Sequence, residues 1–324
     1  MLAGRSPPPP RTLEDLLPPE LAARLDRLDL LSRKILAGKL PGERRSKRRG
    51  QSVEFDDFRD YTPGDDPRHI DWNAYARLDR LLIKIFRAEE DLALHLLVDA
   101  SASMNVGDPN KAVYAHRLAM ALAYVGLVNQ NRVCMGTFGG AGGVSERLAP
   151  LRGRTGIQRI ARFLLDSLAR LNRATPTGPD AGDLFADVMR RMMRLGSPRG
   201  IVVVVSDFLF DAEAGLNALT PGVATGMIDP FAVQVLAPGE LDPARDAPLG
   251  LIGDLRLTDV ETGRAAEVTI TPDAVERYRA GLAAHHARLR HACHARGVAH
   301  VLVPTDTPVE VLVTNTLRRG GMLR

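Results

Sequence analysis

Cysteine is nearly absent from this chain of 324 residues: Cys134 and Cys293 are its only two. They form no C-x-x-C pair, which excludes a disulfide framework and a zinc knuckle. No apolar run is long enough to span a bilayer. The first residues are rich in proline and lack the apolar core of a signal peptide, so a cytoplasmic protein is expected. Neither sign of charge is in large excess: 43 Lys and Arg stand against 39 Asp and Glu, a formal net charge of +4. That balance permits an acidic partner without requiring nucleic acid. Beyond the prolines at the start there is no low-complexity segment and no internal repeat. What is present, 45% hydrophobic and 25% charged residues, suits a globular protein of one large or two modest domains.

The most informative stretch runs from His95 to Met104 (HLLVDASASM). An apolar run ends in Asp-x-Ser-x-Ser, which places Asp99, Ser101 and Ser103 on one loop at the carboxyl end of a strand. Hard cations such as Mg²⁺ take oxygen ligands in octahedral array. A parallel α/β sheet carries its ligand crevice at those strand ends. A second run, Ile201 to Ser206, is wholly apolar until its last residue and is followed by Asp207. Such Val/Ile runs read as central parallel strands buried on both faces. The same residues also fit a plain turn, with Ser101 and Ser103 as turn residues and Asp99 capping the next helix.

From residue 92 onward strand and helix patterns alternate. Strands are expected near 92–98, 132–138, 201–206, 227–235 and 299–304. Helices are expected near 111–127, 157–170, 184–195, 272–296 and 309–318. This predicts an α/β fold with a mainly parallel sheet covered by helices on both faces. The glycines from Gly139 to Gly143 fit a hairpin that adds an antiparallel edge strand. They lack the Lys-Ser/Thr of a phosphate-binding loop and precede a strand, so nucleotide hydrolysis is assigned to a partner. The expected organisation is a disordered proline-rich tail over 1–17, an amphipathic helix over 18–39 and a smaller β-containing segment over 40–90. The α/β domain then covers 91–324, with a β-hairpin insertion near 246–271.

The wider pattern resembles a known bacterial family. The residues that carry it are Gly42-Glu43-Arg44, Glu54-Phe55, Arg59-Asp60-Tyr61, Pro63-Gly64-Asp65-Asp66, Arg68-His69-Ile70-Asp71-Trp72 and Ala76-Arg77. They continue with Asp99 to Ser103, Ser206-Asp207, Gly253 to Leu257 and Glu261-Thr262-Gly263. On these the chain is similar to the domain of unknown function 58 family, whose members carry a von Willebrand A-like domain and are encoded beside MoxR-type AAA+ ATPases. The resemblance runs from about residue 40 to the C-terminus. It implies a metal-ion-dependent adhesion site in which Asp99, Ser101 and Ser103 ligate Mg²⁺ or Mn²⁺ and Asp207 bonds a metal-bound water. A Thr from a second loop usually completes such a site. Here Thr177 or Asp183 takes that place, and Asp183 fits equally as a helix cap. An open coordination position would accept a Glu or Asp carboxylate from a partner. The implied function is a non-enzymatic adaptor or co-chaperone, with a MoxR-type ATPase and unnamed client proteins as partners.

Other constellations point elsewhere or nowhere. The basic run 44–49 could hold phosphates, but no aromatic residue interleaves it for base stacking, so nucleic acid is not the expected partner. Asp65, Asp66 and Asp71 sit in turn chemistry, where carboxylates bond backbone amides and pair with Arg59, Arg68 or Arg77. Trp72, the sole tryptophan, is expected to anchor its segment on the main domain. His285, His286, His291 and His294 share a helix without the Glu of a zinc-protease motif, so a solvated face is expected. The runners-up are a metal-assisted hydrolase on the same site, which lacks an evident general base, and nucleic-acid binding through 44–49.

Overall fold

The computed structural model describes residues 9–30, 54–62, 65, 67–87, 92–140, 144–171, 181–194, 199–243, 253–258 and 265–323. The basic run 44–49, Asp66 and Thr177 lie outside them. The chain begins with α1 (Leu13–Leu16) and α2 (Pro19–Leu25). A separate unit, Lys39–Asp91, holds β1 (Glu54–Asp60), α3 (Trp72–Leu78) and β2 (Leu82–Arg87). The main unit continues with β3 (Ala93–Asp99), α4 (Lys111–Val128), β4 (Arg132–Gly140), β5 (Val144–Arg147), α5 (Ile157–Leu171) and α6 (Ala181–Arg194). Then come β6 (Gly200–Ser206), α7 (Glu213–Ala224), β7 (Ile228–Leu236) and α8 (Pro238–Leu241). The hairpin β8 (Gly253–Thr258) and β9 (Ala265–Ile270), α9 (Pro272–Ala295) and β10 (Ala299–Pro304) follow, and a last helical turn covers Val309–Val311 and Leu312–Leu317.

Six strands form one sheet in the order β10-β7-β6-β3-β4-β5, parallel throughout except for the β4–β5 edge pair. This is the expected mainly parallel α/β sheet with helices on both faces. Side chains alternate between two covered faces, so β6 is apolar at every interior position and β3 at all but His95. Leu94, Leu96, Val98, Ile201, Val203 and Val205 enter the core on one face, against α4 and α5. Leu97, Val202 and Val204 enter the core on the other, with Phe185, Met189 and Leu216 of α6 and α7. Helix α4 is buried on nearly all sides, so its apolar residues run around the whole helix instead of along one stripe.

Two N-terminal expectations are corrected. Residues 9–17 are no disordered tail: Thr12 and Asp15 make a reciprocal capping box on α1, and Leu16 and Leu17 enter the core around α4. Their apolar side chains find partners there, so ordering is offset by burial. The single helix over 18–39 does not form as drawn either. Helix α2 stops at Leu25, Leu28 and Leu30 are buried beyond it, and Leu30 makes a bridge to Leu323; residues 31–39 lie outside the description.

Helix α7 has no counterpart among the expected elements. Gly215, Pro221 and Gly222 break its helical pattern in the sequence, yet two of them are packing devices. A Cβ on Gly215 would stand 2.2 Å from the Phe185 ring, and one on Gly222 would stand 2.6 Å from Met193. Among the described residues no helix is long and apolar enough to cross a membrane.

In the Lys39–Asp91 unit the acids are structural, as turn chemistry suggests. Asp65 receives both Arg59 guanidinium nitrogens at 2.8 Å and the Thr62 amide at 3.0 Å. Asp71 caps α3 through the amides of Asn73 and Ala74. Trp72 is 61% exposed and meets Tyr75 edge-on within this unit.

Candidate metal centre

Strand β3 is the switch point of the sheet. The chain leaves it through α4 to β4 on one side, while β6 lies on the other. Connections that diverge this way open a crevice at the carboxyl ends of the strands. Register brings Val98 beside Val205, so Asp99 and Ser206 reach that crevice at the same level.

Asp99 is fully buried there. Its Oδ1 accepts the Ser101 amide at 2.8 Å and its Oδ2 accepts the Ser206 hydroxyl at 2.6 Å. The Ser101 and Ser103 hydroxyl oxygens stand 2.9 Å apart on the same loop. Asp99 does not cap the following helix: Asn110 does, by accepting the Val113 amide. Asp207 is also fully buried, with the Leu209 amide on Oδ1 at 3.2 Å. Burial, and after it the negative charge of Asp207, push the Asp99 carboxyl up to about 7. Four of the expected residues, Asp99, Ser101, Ser103 and Asp207, are therefore brought together.

The others are not. Asp183 is exposed in the first turn of α6, inside the helix and not at its cap, where its charge suits the helix dipole. Among the described residues no hydrogen bond joins it to the Asp99 loop. Thr177 lies outside the described residues.

This donor set fits a hard divalent cation. It offers two carboxylates and two hydroxyls and no soft ligand. Asp99 holds its proton to near neutrality because burial and Asp207 disfavour its charge, and a cation between the two acids would reverse that.

Residues 57–288 match a family model described as protein of unknown function DUF58. The chain belongs to the DUF58 family. Uncharacterized proteins of Mycobacterium tuberculosis and Mycobacterium bovis are each 32% identical over 303 residues, covering 92% of this chain and 89% of theirs. Among solved structures, the conserved hypothetical protein BatB from Bacteroides thetaiotaomicron is similar with a TM-score of 0.41 and 14% identity. That match covers 70% of this chain and 98% of BatB. A von Willebrand factor type A protein from Catenulispora acidiphila gives 0.32 and 18%, covering 63% of this chain and 44% of its own.

Four residues to which the sequence reading gives no role at this site, Gly139, Phe208, His285 and Lys111, lie in or against it. Gly139 (φ +75°) backs the loop: a Cβ there would stand 3.0 Å from Asp99 Oδ1 and 3.1 Å from the Ser101 amide. Phe208 takes φ 50°, a left-handed conformation rare for a bulky residue. It is held there by its amide on Ser206 Oγ at 2.9 Å and its carbonyl on His285 Nε2 at 2.7 Å. A carbonyl can only accept, so His285 carries its proton on Nε2. Lys111, fully buried, donates to Asp207 Oδ2 at 2.9 Å and to Glu240 Oε1 at 2.5 Å. Burial works to lower its pKa, but Asp207 and Glu240 outweigh burial and hold the ammonium above its ordinary value.

A cleft of about 110 Å³ opens beside the loop, lined by Ala100, Thr137, Gly140, Ser167 and Leu171 and by the ion-paired Glu146 and Arg170. It is smaller than the ~300 Å³ at which small-molecule pockets begin.

Proposed function

We propose that this DUF58 chain is a metal-dependent protein-binding adaptor, not an enzyme. It would work with a MoxR-type AAA+ ATPase in the assembly or maturation of other proteins. Asp99, Ser101 and Ser103 would ligate Mg²⁺ or Mn²⁺, and Asp207 would hold a metal-bound water. A Glu or Asp carboxylate of the partner would be drawn to the bound cation, whose charge would offset its repulsion from Asp99 and Asp207. The observation that carries this reading is the buried Asp99–Asp207 pair at the switch point, with serine hydroxyls beside it.

One further feature favours binding over hydrolysis: the cleft beside the loop is too small to enclose a substrate of ordinary size.

The test is capture of the tagged protein's partners from its native cell extract, in parallel with Mg²⁺ and with a chelator. An AAA+ ATPase is expected with Mg²⁺, and its recovery should fall at least tenfold with chelator or with Asp99→Ala. Equal capture in all three arms would contradict a metal-bridged contact. Nucleic-acid binding that survives chelation and falls with salt would favour the basic run 44–49 instead.

A further inference from the structure

Lys111 is the buried charge that the metal motif leaves unused. A lysine with no exposed surface persists only where counter-charges and hydrogen bonds satisfy it. Here Asp207 supplies one, and Glu240 supplies the other from α8. Glu240 is itself fixed: its Oε2 accepts the Ala237 amide at 2.8 Å, and its carbonyl accepts the Tyr278 hydroxyl at 2.7 Å. The loop leading to Lys111 is pressed onto α8 as well, since a Cβ on Gly107 would stand 2.4 Å from that of Ala237. The ammonium thus sits on the Asp207 carboxylate in a frame with little freedom.

The charges decide what this does. Asp99, Asp207 and Glu240 carry three negative charges when ionised, and Lys111 returns one positive. The cluster is then left with two, the charge of one divalent ion. A bound ion leaves the cluster neutral, and an incoming carboxylate meets no excess negative charge. Without the lysine the loaded centre would still be anionic and would repel that carboxylate. Resting on the metal reading above, we propose that Lys111 is a positioning residue of the centre. It is a fixed internal cation that orients Asp207 and weakens divalent-ion binding to the level at which a partner's carboxylate can add.

The experiment is Mn²⁺ titration by calorimetry on the full chain, with folding checked by circular dichroism. Lys111→Met should bind Mn²⁺ about tenfold more tightly or better, because the positive charge paired with Asp207 is removed from a poorly screened site. Glu240→Gln should bind it several-fold more weakly, although the Glu240 side chain is committed to Lys111 and the Ala237 amide. Opposite signs are the signature, since a role in packing alone would weaken both. A folded Lys111→Met that binds Mn²⁺ no better than the wild type overturns the proposal. If that variant does not fold, unchanged or tighter binding by Glu240→Gln overturns it. A wild type that binds no Mn²⁺ overturns the metal reading itself, and that arm is read separately from the variants.

Discussion

Lowering the pH from 7 to 4 is expected to remove about 2–3 kcal/mol of net stability through His95, His116 and Asp99, the two histidines together outweighing the carboxyl. His116 is fully buried in α4, with Nδ1 2.7 Å from the Ala112 carbonyl oxygen and Nε2 3.1 Å from Ser167 Oγ. Burial pushes its pKa down to about 4, and burial with Arg147 and Arg132 does the same for His95 on β3. The unfolded chain protonates both near 6.5. Between 6.5 and 4 the unfolded state therefore binds more protons, so their stability is complete above 6.5 and is lost as the pH falls toward 4. Each histidine contributes about 3 kcal/mol to that loss. Asp99 acts in the opposite sense. Its folded pKa, raised to about 7, keeps a proton that the unfolded chain releases above 3.8, so the fold gains as the pH falls through that window. One histidine is thereby offset and one is not. Urea unfolding at pH 7, 5.5 and 4 should show the loss in the wild type and a nearly flat profile in His116→Gln. An identical slope in both would contradict this assignment.

Gly200→Ala should be the most damaging single methyl group in the sheet. Gly200 opens β6 between Ala93 of β3 and Ile228 of β7. A Cβ there would lie 1.9 Å from the Ala93 carbonyl oxygen and 2.7 Å from its carbon. These are backbone atoms held by the ladder, so no rotamer change relieves them. The two central strands would have to separate where their pairing begins, at a cost of about 3 kcal/mol or more. Denaturant unfolding would show a lower midpoint with an unchanged slope, or the variant would fail to accumulate folded. A midpoint equal to that of the wild type would mean that β3 and β6 do not pair in this register.

What the sequence made legible was local. β3 and β6 are legible because a strand covered on both faces is apolar at nearly every interior position, His95 being the exception, and each run leads to an acid, Asp99 or Asp207. Asp99, Ser101 and Ser103 share one loop, so their spacing was enough. Gly139 was read as a hairpin glycine, although its lack of a side chain lets the Asp99 loop sit against β4. Lys111 was legible only as the start of a helix. Its partners Asp207 and Glu240 lie 96 and 129 positions away, and nothing in local spacing foretells such a pairing. The N-terminal segment misled for a similar reason. Its prolines suggest an unordered chain, while the burial of Leu16 and Leu17 depends on a helix about a hundred residues later.

The most direct test of the metal centre is Mg²⁺ titration of the purified chain by calorimetry, beside Asp99→Ala and a Ser101→Ala, Ser103→Ala double variant. We expect one ion per wild-type chain, no measurable binding by Asp99→Ala, and binding at least tenfold weaker in the double variant. Binding that survives intact in Asp99→Ala, or no binding by the wild type, would contradict a cation at the carboxyl ends of β3 and β6.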